Sequence, residues 1–213
     1  FAAEGMALAG GHTSIGSELT IGFTVTGLTD ENAPRLDAAR DGDFLILAGP
    51  IGSGTVLAAE MEGKARGDDV AHVLNWMARS RGQAARILAG TAHALTDVTG
   101  FGLAGHVDRI AKASKLSAEI NLADLPIFAG AEELAASRIR SSIWEENRAA
   151  VEAEIPDSPR AALLFDPQTA GGFVAAVAAE DAEALLSRMS DAGEEARIIG
   201  RLIPAKAAKL IAN

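Results

Sequence analysis

D-F-L-I-L-A-G-P-I-G-S-G-T, Asp43 to Thr55, joins a short apolar run to a glycine-rich turn. Phe44 to Ala48 is apolar throughout, too short for a helix and bounded by turn residues, so it reads as a buried strand. Gly49-Pro50 ends the run, and Ser53 or Thr55 stands where a helix N-cap belongs. Strand, tight turn and helix in that order point to a chain in which helices pack on a sheet.

The same alternation continues outward. Towards the N-terminus, Leu19, Ile21, Phe23 and Val25 alternate with polar or small residues and predict a half-buried strand. Phe1, Met6 and Leu8 suggest the tail of an amphipathic helix. The opening lacks an initiating Met and a signal-peptide pattern, which reads as a piece of something longer. Towards the C-terminus, Val70, Val73, Leu74 and Met77 predict one helix across Asp68 to Leu88, with acidic residues at its start. Helices are expected at about 101–114, 129–138, 145–154 and 181–192. Strands are expected at about 117–122, 162–166, 172–178 and 196–203. The fold class is α/β (α+β), a mixed β-sheet packed with helices.

Composition narrows the function classes. The chain has 213 residues, enough for one large domain or a domain and a half. Its longest apolar run, Phe173 to Ala179, falls far short of the roughly 20 residues that a membrane-spanning helix requires. A net charge of −10 without a basic tract argues against nucleic-acid and anionic-membrane partners. With no cysteine there is no disulfide framework, thiolate metal site or cysteine nucleophile, which fits a cytoplasmic protein.

Four glycine-rich stretches carry the candidate chemistry. Ala9-Gly10-Gly11-His12-Thr13 offers a bare backbone and a hydroxyl to a phosphate, or simply caps a helix. Gly49 to Thr55 imitates a phosphate-cradling loop, but Thr55 follows Gly54 where that loop needs lysine, so a structural turn is the plainer reading. In T-D-V-T-G-F-G-L-A-G-H, Thr96 to His106, one carboxylate precedes a helix whose inward face is Leu103, Val107, Ile110 and Ala111. Asp97 either caps that helix or holds Mg²⁺, and spacing does not decide between them. Leu164 to Phe173, L-F-D-P-Q-T-A-G-G-F, reads as strand, carboxylate, rigid turn and strand. His12, His72, His93 and His106 form no pair at zinc-binding spacing, and the charged runs Glu60 to Arg66 and Glu194 to Arg197 read as solvated faces.

G-G-H-T at 10–13, L-A-G-P-I-G-S-G at 47–54, T-D-V-T-G-F-G-L-A-G-H at 96–106 and D-P-Q-T-A-G-G at 166–172 together resemble selenophosphate synthetase (selenide, water dikinase). The resemblance covers nearly the whole chain. It implies the C-terminal domain type of the aminoimidazole ribonucleotide synthetase-like superfamily over residues 31–213, preceded over 1–30 by the last helix and strand of an N-terminal ATP-binding domain. It implies an enzyme that makes selenophosphate, AMP and phosphate from ATP, selenide and water, and works as a homodimer. Asp97 is implied as a Mg²⁺ ligand, and Gly11, His12 and Thr13 as contacts to ATP across the dimer interface. The family's catalytic Cys or selenocysteine and Lys lie in its N-terminal part, so no catalytic residue is assigned here and this stretch alone is expected to be inactive. Three places depart from the family pattern: Ala170 where Ser is common, Phe173 where Leu is common, and Arg140 to Trp144 where the loop is usually richer in glycine. Two other readings stay open: another ATP-dependent synthetase or kinase of the same superfamily, and a non-catalytic structural or dimerisation module.

Overall fold

The computed structural model describes residues 1–28 and 33–213. They divide into two compact units, Phe1–Ala33 and Pro34–Asn213. The expected boundary between residues 30 and 31 falls outside the described residues.

In the first unit the only helical turn among the described residues is a 3-10 turn over Ala2–Glu4, and the Phe1 and Phe23 rings stand 5.4 Å apart. The strand expected over 19–25 does not form. Leu19, Ile21, Phe23 and Val25 are all exposed. An alternating segment becomes a strand only when a neighbour takes its backbone hydrogen bonds and covers its apolar face, and the described residues supply neither.

The second unit is a mixed sheet with helices on both faces. Its elements are β1 (Phe44–Ala48), α1 (Ser53–Met61), α2 (Gly67–Met77), α3 (Gly82–Ala89), β2 (Ala94–Asp97), α4 (Gly102–Ala113) and β3 (Leu116–Ile120). After them come α5 (Ala131–Ala136), α6 (Trp144–Ala149), β4 (Ala153–Glu154), α7 (Pro159–Ala162), β5 (Phe173–Val177), α8 (Ala179–Asp191), β6 (Ala196–Pro204) and β7 (Leu210–Ala212). The seven strands lie in the order β2-β5-β1-β6-β3-β7-β4, antiparallel except where β7 pairs with β3 and β4.

The central strands explain their own composition. Leu45 and Leu47 of β1, with Val174 and Ala176 of β5, face a large core under α1, α2, α4, α5 and α7. Ile46 and Ala48, with Ala175 and Val177, face a second core closed by α3 and α8. Covered on both faces, these strands have no polar side to alternate with, hence the unbroken F-L-I-L-A and F-V-A-A-V.

Three expected elements of this unit came out differently. The helix expected over 145–154 stops at Ala149, and Ala153–Glu154 is β4. The single helix over Asp68 to Leu88 is two, α2 and α3. Arg81 Nη2 donates to the Trp76 carbonyl at 3.1 Å, and the Ser80 hydroxyl accepts the Gly82 amide at 3.1 Å, so one helix is closed and the next begun within a few residues. The strand over 162–166 is instead the end of α7 and a 3-10 turn, Leu163–Phe165. Ser158 accepts the Ala161 amide at 3.2 Å and Pro159 sits in the first turn, a strong helix start. Glu194, expected on a solvated face, pairs with Arg81 at 3.5 Å with both side chains about nine-tenths buried, and Arg81 stacks 3.3 Å from the Trp76 ring centroid.

Candidate functional site

The site is built where β2 ends beside the start of β5. Asp97 lies opposite Phe173, and the Val98 amide extends the ladder to the Gly172 carbonyl at 2.9 Å. This pairing sets the 96–106 stretch against the 166–172 stretch. No residue but glycine fits at 171 or 172, where a Cβ would run into the carbonyls of Val98 and Ala48. Gly102 opens α4 at φ +70° with the Leu164 carbonyl 2.8 Å from where a Cβ would stand, so it too is required.

Gln168 locks the third stretch to these two. Its Oε1 accepts from the Gly52 amide at 3.1 Å, the Ser53 amide at 3.1 Å and the Ser53 hydroxyl at 2.9 Å. Its Nε2 donates to Asp166 Oδ2 at 3.0 Å and to the Asp166 carbonyl at 2.8 Å, and its own amide binds the Thr99 carbonyl at 3.0 Å. Thr55 Oγ1 completes the knot with a 2.8 Å bond to Asp166 Oδ1. The amides that would cradle a phosphate in the 49–55 turn are therefore occupied, and that turn is structural, as its missing lysine suggested. Its N-cap is Gly52, and neither Ser53 nor Thr55 caps the helix.

Asp166 is fully buried. Burial pushes its carboxyl up to about 6, held back by hydrogen bonds from Thr55, Gln168 and the Gly54 amide. It therefore shares the site as a braced interior group.

Asp97 stands outside the knot. It is exposed, and its carboxylate takes one long bond, 3.2 Å, from the Thr96 hydroxyl. The helix cap that spacing allowed is not made: α4 begins at N-cap Phe101 with no side-chain cap bond. The loop that presents Asp97 is nonetheless fixed. His106, 4% exposed, accepts the Thr99 amide on Nε2 at 3.0 Å, and Asn147 Nδ2 donates to the carbonyls of Gly100 at 2.8 Å and Phe165 at 3.0 Å. Burial lowers the His106 pKa, opposed by the Asp97 charge and reinforced by Arg109, which suits a neutral ring whose Nε2 is an acceptor. Asn147 follows the Arg140 to Trp144 loop, and the sequence gives it no role because both its partners, Gly100 and Phe165, are remote in sequence.

Among the described residues no group of three or more His, Cys, Asp or Glu side chains is placed to hold a metal ion. Asp97 is exposed and, among the described residues, has no Lys or Arg ion pair, which leaves its carboxylate open, and Mg²⁺ commonly takes one or two carboxylates with phosphate oxygens. Gly11, His12 and Thr13 are exposed in the first unit. Ala170 adopts φ 47°, a left-handed conformation that offers no hydroxyl to the loop.

Residues 40–213 match the family described as AIR synthase related protein, C-terminal domain. The chain is 36% identical over 210 residues to "Selenide, water dikinase 2" of Peptoclostridium acidaminophilum, covering 94% of this chain and 60% of that protein. It is 36% identical over 204 residues to a selenide, water dikinase of Pseudomonas aeruginosa, covering 93% of this chain and 59% of that protein. The resemblance carried by the four motifs thus holds, and the chain spans about 60% of the length of these relatives. Among solved structures, thiamine-monophosphate kinase from Stenotrophomonas maltophilia superposes with TM-score 0.64 at 19% identity over 86% of this chain and 54% of that one. The hydrogenase maturation protein HypE of E. coli gives 0.59 at 20% over 83% of this chain and 48% of that one. At those identities the likeness is one of fold. No helix among the described residues is long and apolar enough to cross a membrane.

Proposed function

We propose, from the premise that this chain belongs to the AIR synthase related family and carries its C-terminal domain, that it is part of a selenophosphate synthetase. The reaction would convert ATP, selenide and water to selenophosphate, AMP and phosphate. The observation that carries this reading is the interlocking of the 47–54, 96–106 and 166–172 stretches through Gln168, in a chain 36% identical to curated selenide, water dikinases.

In this account Asp97 is a Mg²⁺ ligand and Gly11, His12 and Thr13 contact ATP across the interface of a homodimer. When bound, the metal neutralises charge on phosphate oxygens, the main requirement of phosphoryl transfer. What the chain's own residues contribute is placement. Gly172, Gln168, Asn147 and His106 hold the Asp97 loop at four points, so the carboxylate is presented without reorganisation. A HypE structure solved in complex with ATP, TM-score 0.55 to this chain, supports a nucleotide as ligand in this account. The remaining length of the relatives would supply the other ligands, so the 213-residue chain alone is not expected to turn over ATP.

The test is ATP consumption by the complete protein with and without selenide. Turnover that requires selenide supports the reading. ATP hydrolysis indifferent to selenide would assign the chain to another synthetase or kinase of the family.

A further inference from the structure

Four arginines of the second unit, Arg35, Arg81, Arg160 and Arg201, each face a carboxylate within 3.5 Å. Among the described residues Arg138, Arg140 and Arg148 have no such partner, in a chain whose net charge is −10. All three border two cavities of about 390 and 230 Å³ between α5, α6 and the segment entering α7. The cavities share the walls formed by Arg140, Trp144, Asp157 and Ser158, with Arg138 on one side and Arg148 on the other. Each is many times the roughly 30 Å³ that a water molecule occupies in the liquid, enough for a small organic molecule.

We propose that these two adjacent cavities bind a phosphate-bearing small molecule through Arg138, Arg140 and Arg148.

The Arg140 and Arg148 guanidinium groups are oriented without a carboxylate ion pair among the described residues. Arg140 donates from Nη1 to the carbonyls of Ala135 and Ile139, both at 2.9 Å, and lies 4.9 Å over the Trp144 ring. Trp144 is itself fixed by a 2.8 Å bond from Nε1 to the Ala162 carbonyl. Arg148 stacks 5.0 Å from the Phe165 ring centroid. Carbonyl bonds and ring stacking set the plane of a guanidinium and leave its charge for a ligand, and that planar fork matches phosphate oxygens in pairs. Arg138 adds a separate sign: it holds φ 59°, a left-handed position just past the end of α5 where glycine is the unstrained choice. Such strain clusters at ligand-binding positions, which supports a use for the Arg138 side chain at the cavity wall.

Burial lowers the Arg140 pKa, reinforced by Arg138 and opposed by Asp166, Glu145 and Asp157, so desolvation of the guanidinium is the main effect, and an anion placed against it would offset that cost. Glu145 and Asp157 line the first cavity without forming an ion pair with any of the three.

The chain has two tryptophans, so the Trp144 indole gives a resolved NMR reporter in the 213-residue protein. Titration with inorganic pyrophosphate should shift that resonance saturably, and Arg138→Gln, an exposed position that no packing depends on, should weaken binding about 10-fold. Arg140→Gln should abolish the shift; if it unfolds the domain, Arg138→Gln still decides. No saturable shift up to about 10 mM pyrophosphate, a shift reproduced by sodium chloride at equal ionic strength, or unchanged affinity in Arg138→Gln would overturn the proposal.

Discussion

Asp97 and Gln168 divide the work of the site between exposure and burial. Asp97 has no packing role and one weak internal bond, so Asp97→Asn in the complete protein should leave the melting temperature unchanged. If it is a metal ligand, the same change should cost at least about 100-fold in selenide-dependent turnover. Retained turnover at high Mg²⁺ would remove it from the metal site. Asp97 was visible in the sequence because a carboxylate just ahead of glycines and a helix is a local pattern. The role of Gln168 is not legible in the sequence, since its partners Gly52 and Ser53 lie 116 and 115 positions away and no local spacing encodes them. Asn147, which holds Gly100 from 47 positions away, was hidden for the same reason.

Among elements, those read correctly were the ones whose period has a single interpretation. Leu103, Val107, Ile110 and Ala111 are all fully buried on α4, and the F-L-I-L-A run is a strand. Leu163, Leu164 and Phe165 are buried on all sides, so their apolarity carries no period and the segment was misread as a strand. The deciding signal was upstream, in the Ser158-Pro159 start of α7. Ser158→Ala should therefore destabilise the domain by about 1 kcal/mol, read as a lower urea midpoint with an unchanged slope. β2, β4 and β7 were not expected as strands; at four, two and three residues they are too short to show alternation and exist through β5, β7 and β3. The strand expected over 19–25 had the right pattern and lacked a partner among the described residues.

For the molecule as a whole, the buried knot couples folding to pH. The Asp166 carboxyl is raised from its ordinary 3.8 to about 6, so between those values the folded protein holds a proton that the unfolded chain has released. Its contribution to stability is fully present below about pH 4 and is lost as the pH rises through about 6. The change amounts to about 3 kcal/mol at most. Urea midpoints of the wild type, relative to Asp166→Asn, should therefore fall between about pH 4 and pH 7. A constant difference across that range would mean that Asp166 titrates alike in both states.

The whole account turns on what the complete protein makes. Phosphorus NMR of its reaction with ATP, Mg²⁺ and selenide should show selenophosphate, AMP and orthophosphate rising in equal amounts, with the selenophosphate signal split when the selenide carries selenium-77. ADP as the nucleotide product, or the absence of any phosphorus bonded to selenium, would contradict it.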